Sequence, residues 1–163
     1  MSEEKEFEVL VDGNEVVAGL VLKYGDDFLW GIDPAKVMVM GVINKKPTKS
    51  KRRKLATIRR LDPVTKALLR YFECINILYF IEVNCLDWMS WSEPRRQMIL
   101  LHELIHIPKP GEESLIPHDV EDFSALVEQF GCDWFNNADL PNLLGEEKVV
   151  LNYDKFSSIR KNS

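Results

Sequence analysis

The chain has 163 residues, 45% of them hydrophobic and 10% aromatic, enough to bury a core and within the range of a single domain spanning 1–163. Its formal charge is -5, and no stretch approaches the roughly 20 uninterrupted apolar residues of a membrane span, so no membrane-spanning helix is expected. The opening Met1-Ser2-Glu3-Glu4-Lys5-Glu6 is acidic where a secretion signal is basic, and the scattered Cys74, Cys85 and Cys132 form no CxxC pair, so a cytoplasmic protein with free thiols is expected.

Residues 8 to 24 are expected to form a first helix, because Val16, Val17, Leu20 and Val21 follow helical spacing and Gly25-Asp26-Asp27 stops the run. The β-branched run from Lys36 to Ile43 reads as a buried strand, and Leu55 to Arg60 as a second. Between them lies a Pro47-containing loop, expected to close a long hairpin or a crossover. Nine basic residues and no acid fall between Lys45 and Arg60, which leaves the rest of the chain at -5 - 9 = -14. Lys45, Lys46, Lys49, Lys51, Arg52, Arg53 and Lys54 are thus a candidate contact for nucleic acid or an acidic partner, set against the plainer reading of a solvated loop.

Asp62-Pro63 opens a helix to about Phe72, with Asp62 suited to cap it and Pro63 to the first helical position. Ile75 to Val83 then gives a third strand. A turn from Met89 to Ser92 leads into a helix that is apolar on most sides, with Met98, Ile99, Leu100, Leu101, Leu104 and Ile105 around it. Trp88 and Trp91, flanking that turn, are expected in the core. Pro108, Pro110 and Gly111 end the helix, and Pro117-His118-Asp119 is expected to open the next, which runs to Gly131. Val149-Val150-Leu151 reads as a strand or extended segment, and Ser157 to Ser163 as a frayed tail.

The apolar helix carries three polar residues that need a reason to be there. They are His102, Glu103 and His106, in the pentapeptide His102-Glu103-Leu104-Ile105-His106, or HExxH. Buried without partners, such groups cost about 1–3 kcal/mol each. On a helix, positions 102 and 106 stand about 40° apart on one face, so both imidazoles can reach one metal ion. A catalytic zinc takes three protein ligands and keeps one position open for water. The expected chemistry is hydrolysis, with zinc polarising a carbonyl and acidifying water, and with Glu103 as the general base that moves the water's proton to the leaving amine.

His118 is the remaining histidine and the expected third ligand, as the softer and commoner zinc donor; Glu121, Asp122 and Glu128 are acidic alternatives. The metzincin pattern is disfavoured, since Lys109 and Glu112 stand where it has glycine and histidine. Asp119, Glu121 and Asp122 are candidates to orient an imidazole N–H, or simply helix-capping acids. The strand preceding the active helix could bind an extended peptide if it lies at a sheet edge.

The run from Ser92 to Gln97 into Leu101-His102-Glu103-Leu104-Ile105-His106-Ile107-Pro108, then Pro117-His118-Asp119-Val120-Glu121-Asp122-Phe123 and Phe130-Gly131-Cys132-Asp133-Trp134, resembles the phage metallopeptidase family. It is similar, more distantly, to SprT-like zinc peptidases, in which a histidine at the head of the following helix corresponds to His118. The resemblance implies a compact zincin-like α+β fold, a small sheet packed on the HExxH helix, with Zn2+ as cofactor and protein or peptide as substrate. It also raises action on DNA-bound proteins, whereas the basic insert at 45–54 departs from the family. The alternatives are a noncatalytic zinc-stabilised module using segment 45–60, and a zinc amidase acting on a non-protein amide.

Overall fold

The computed structural model describes residues 5–43, 55–73, 75–118, 122–131, 133–136, 139–151 and 153–161. Its elements in chain order are β1 (Glu6–Val9), α1 (Val11–Tyr24), a 3-10 turn at Pro34–Lys36, β2 (Val37–Ile43), β3 (Ala56–Arg60) and α2 (Pro63–Glu73). They continue with β4 (Tyr79–Asn84), α3 (Cys85–Ser90), α4 (Glu93–Ile105), α5 (Ser124–Phe130), a 3-10 turn at Trp134–Asn136 and α6 (Tyr153–Lys161). This is an α+β fold built on a four-stranded mixed sheet of order β1-β2-β4-β3.

The sheet order answers the question left open by the second connection. β2 and β3 are not neighbours: β4 lies between them, parallel to β2 and antiparallel to β3, with Ile81 opposite both Val39 and Ile58. The link from β2 to β3 is therefore a crossover and not a hairpin. Among the described residues β3 is an edge strand, and β4, the strand leading to the motif helix, is central. The basic residues Lys45 to Lys54 lie outside the described residues.

β2 and β4 bury alternate residues, the period-two pattern of a strand with one face in the core. Val39 and Ile81 are fully buried, under α1 (Val17, Leu20) and α4 (Leu100, Leu101, Leu104). α1 crosses β2 closely enough that a Cβ at Gly13 would come within 2.8 Å of Val39. The β1 pairing stops at Met40, so Val39 has no strand partner on that side for its peptide groups. α1 replaces it: Asn14 Oδ1 accepts the Val39 N–H at 2.8 Å, and Leu10 N–H donates to the Val39 carbonyl at 3.0 Å.

Two expectations need correction. The first helix begins at Val11 and not at residue 8, because Glu6–Val9 pair with β2 as a strand. The C-terminal tail is not frayed through residue 161: α6 docks into the core, with Phe156 and Arg160 both fully buried. The Phe156 ring packs against Phe28 with centroids 5.0 Å apart. Arg160 satisfies its guanidinium on main-chain carbonyls, which is why a charged residue tolerates that depth. Among the described residues Val149–Leu151 forms no strand. No described helix is long and apolar enough to cross a membrane.

Candidate active site

α4 places the motif. Ser92 precedes it in extended conformation, Pro94 sits in its first turn where a missing N–H costs nothing, and every residue from Gln97 to Ile105 is buried. Gln97, a polar residue in that run, accepts the Leu143 N–H at 2.7 Å. The helix ends at His106, which keeps right-handed helical dihedrals (φ -67°, ψ -18°), so the spacing of positions 102 and 106 survives the helix end. Pro108 then prevents continuation.

His118 comes to the same place by a different route from the one expected. Among the described residues the next helix is α5, which starts at Ser124, and His118 lies on a return segment without regular secondary structure. That segment is tied to the motif by two bonds between His106 and Ile116. The Ile116 N–H donates to the His106 carbonyl at 2.8 Å, and His106 Nδ1 donates to the Ile116 carbonyl at 2.5 Å. His118 Nε2 then stands 3.0 Å from His102 Nε2. One ring nitrogen from each of His102, His106 and His118 falls within 4.8 Å of the others.

The second ring nitrogens fix the tautomers. A carbonyl only accepts, so His106 Nδ1 carries the proton and its Nε2 keeps the lone pair. His102 Nδ1 lies 3.0 Å from Asp122 Oδ1, which orients that ring in the same sense. Asp122 is itself held by the Trp134 indole N–H on Oδ2 and the Phe123 amide on Oδ1, both at 2.6 Å. Burial pushes the Asp122 carboxyl up, but His102, Trp134 and the Phe123 amide outweigh it and hold the group below the usual carboxylate range. Burial pushes His106 down to about 4, against the bond to Ile116, so its imidazole is neutral near pH 7, the form that ligates.

Phe123, itself buried, packs beside all three imidazoles, with centroids 4.7–5.2 Å away, and Trp134 stacks on His102 at 5.5 Å. Three nitrogens converging in an apolar cradle fit a tetrahedral ion. Metal–nitrogen bonds of about 2.0–2.1 Å put ligand nitrogens roughly 3.3 Å apart, close to the His102–His118 separation. The site opens on a cleft of about 440 Å³, whose walls include Leu55–Ile58 at the β3 edge, Leu115–His118, and the buried Glu103 beside the histidines.

The chain belongs to the Putative phage metallopeptidase family. The family model matches residues 5–146, further in both directions than the segments that carry the resemblance in sequence, and it takes in the whole histidine site. Family membership and the histidine cluster together support a metal-dependent peptidase. No curated protein and no solved structure matches the chain.

The other candidates divide clearly. Asp119 and Glu121 lie outside the described residues. Glu128 pairs with Lys155 at the α5–α6 surface, and Asp122 sits behind His102 and not among the cluster nitrogens. Trp88 and Trp91 are core residues. Of the basic group, Arg59 pairs with Glu82 and Arg60 donates to the Glu113 carbonyl at 2.6 Å. Sequence reasoning passed over the Ile116 carbonyl and the side chains of Phe123 and Trp134 as parts of the site. Nothing in their identity signals that role, which arises only when the return segment folds against α4.

Proposed function

We propose that this chain is a zinc-dependent peptidase of the HExxH type in which His102, His106 and His118 hold the ion and Glu103 is the general base. The observation that carries the reading is the convergence of the three imidazoles on a cleft that also contains Glu103, with Asp122 and Ile116 holding the far nitrogens of two of them. Zinc, when bound, supplies Lewis acidity, which acidifies water toward neutrality and polarises a carbonyl. Glu103 takes the proton of the attacking water on a carboxylate oxygen and passes it to the leaving amine as the C–N bond breaks. Asp122 and Ile116 keep the protons of His102 and His106 on Nδ1, so both Nε2 atoms stay available.

β3 supports a peptide as substrate. It is an edge strand whose Leu55–Ile58 end forms one wall of the cleft, so an extended peptide can add to it by main-chain hydrogen bonds with its scissile bond toward Glu103. The enzyme is read as one domain working in the cytoplasm of a bacterial host.

The test is Glu103→Gln beside wild type. Metal content is measured by elemental analysis, and cleavage is followed on an unfolded protein and a mixed peptide pool. The variant is expected to retain one zinc per chain and lose hydrolysis. Cleavage that persists in Glu103→Gln, or a wild type that takes up no metal when zinc is supplied, refutes the reading.

A further inference from the structure

α6 lies beyond the residues matched by the family model, yet it reaches the turn that follows the motif. Arg160 is fully buried there, and its guanidinium spans two turns from distant parts of the chain. Nη1 donates to the carbonyls of Phe28 and Trp30, at 2.9 and 2.6 Å, in the turn after α1. Nε donates to the Ile107 carbonyl at 3.0 Å, and Nη2 lies 3.4 Å from the Pro108 carbonyl, in the turn after α4. Burial pushes Arg160 down to about 10, so it still carries its charge at neutral pH. The two turns also touch directly: Gly31 has φ +77°, and a Cβ there would come within 2.5 Å of Pro110.

Ile107 is the residue after His106, and the loop it begins returns at Ile116, which holds His106 by two bonds. His118 follows two residues on. The path from the helix histidines to His118 therefore starts on carbonyls held by Arg160 and ends on the His106–Ile116 clasp. Lysine cannot replace the arginine here, because a single ammonium does not present the planar fork that reaches both turns.

We propose that Arg160 is a positioning residue of the histidine site: its guanidinium fixes the turn after His106 and thereby the spacing between the helix imidazoles and His118. This inference rests on the metal-site reading given above. It predicts an effect on metal binding distinct from loss of fold stability.

The test uses the full chain and cobalt(II) as probe, titrated and followed by its visible absorption bands. Arg160→Lys and Arg160→Gln are compared with wild type and with Ile81→Ala, which destabilises the centre of the sheet and lies in neither turn. Both Arg160 variants are expected to bind cobalt about tenfold more weakly, the low end of what loss of supporting contacts costs a metal site, with shifted bands. Ile81→Ala is expected to lower the melting temperature while keeping affinity within about twofold and the wild-type spectrum. Wild-type affinity and bands in the foldable Arg160 variant, or equal weakening in Ile81→Ala, overturns the proposal. A wild type that takes up no cobalt overturns the metal-site reading, and this inference with it, before any variant is compared.

Discussion

Asp122→Asn is the sharpest probe of how the histidine site is held. His102 Nδ1 lies 3.0 Å from Oδ1 of this carboxylate, which accepts the Phe123 amide at 2.6 Å on Oδ1 and the Trp134 indole N–H at 2.6 Å on Oδ2. Asparagine has the same shape but one acceptor oxygen and one NH2 group. With the oxygen toward His102, the NH2 faces the indole N–H, donor against donor. With the NH2 toward His102, the imidazole must move its proton to Nε2, the nitrogen needed in the cluster. Hydrogen bonds to charged groups are worth about 1.5–3 kcal/mol, and each 1.4 kcal/mol is about tenfold in an equilibrium constant. Zinc affinity is therefore expected to fall about 10- to 100-fold, the range typical for partners of ligating histidines. Competition against a chromophoric chelator at pH 7.5 or so reads the change, with far-UV circular dichroism as the control for folding. Affinity within about twofold of wild type in a folded variant would refute the claim that Asp122 orients His102.

Gly31→Ala should destabilise the protein, since an L-residue at φ +77° costs about 1–2 kcal/mol and the new methyl meets Pro110. A fall in melting temperature of at least roughly 2–4 °C is expected for a chain of this size, and an unchanged melt counts against the mated turns. Cys85 is pushed up from the ordinary 9.0 to about 11, first by burial and then by Glu8, which accepts its S–H at 3.3 Å. The thiolate is the reactive form, so iodoacetamide at pH 8 should label Cys85 on the order of a hundredfold more slowly in the folded than in the unfolded chain. Peptide mapping by mass spectrometry reads this, and equal rates would contradict that environment.

The motif helix was legible because each of its signals is local: Ser92 and Pro94 at one end, Pro108 at the other, and an apolar surround that leaves His102, Glu103 and His106 conspicuous. Asp122 was legible as one acid among three, but its selection depends on Trp134 and His102 meeting across the return segment. His118 was legible by type and not by setting, since the clasp between His106 and Ile116 uses main-chain groups that every residue possesses. The crossing of β3 past β2 has no local signature, because strand order is decided by which pairs bury Ile81 and Val39. α6 was missed because Lys, Ser and Arg make up five of its nine residues. Phe156 and the partly buried Ile159 are the apolar residues it packs against the core, and a lone arginine reads as solvent-exposed until four carbonyls are found around it.

The 53 residues between Ile107 and Arg160 set an order of events during synthesis. A ribosome adding about 5–20 residues per second needs roughly 3–10 s to cover that distance, and longer for α6 to leave the exit tunnel. For most of that interval the nascent chain carries HExxH and His118, while Arg160, which holds the turn after His106, has not yet been translated. The turn after His106 therefore acquires the carbonyl contacts of Arg160 only after α6 has emerged, which makes its closure a late step of folding.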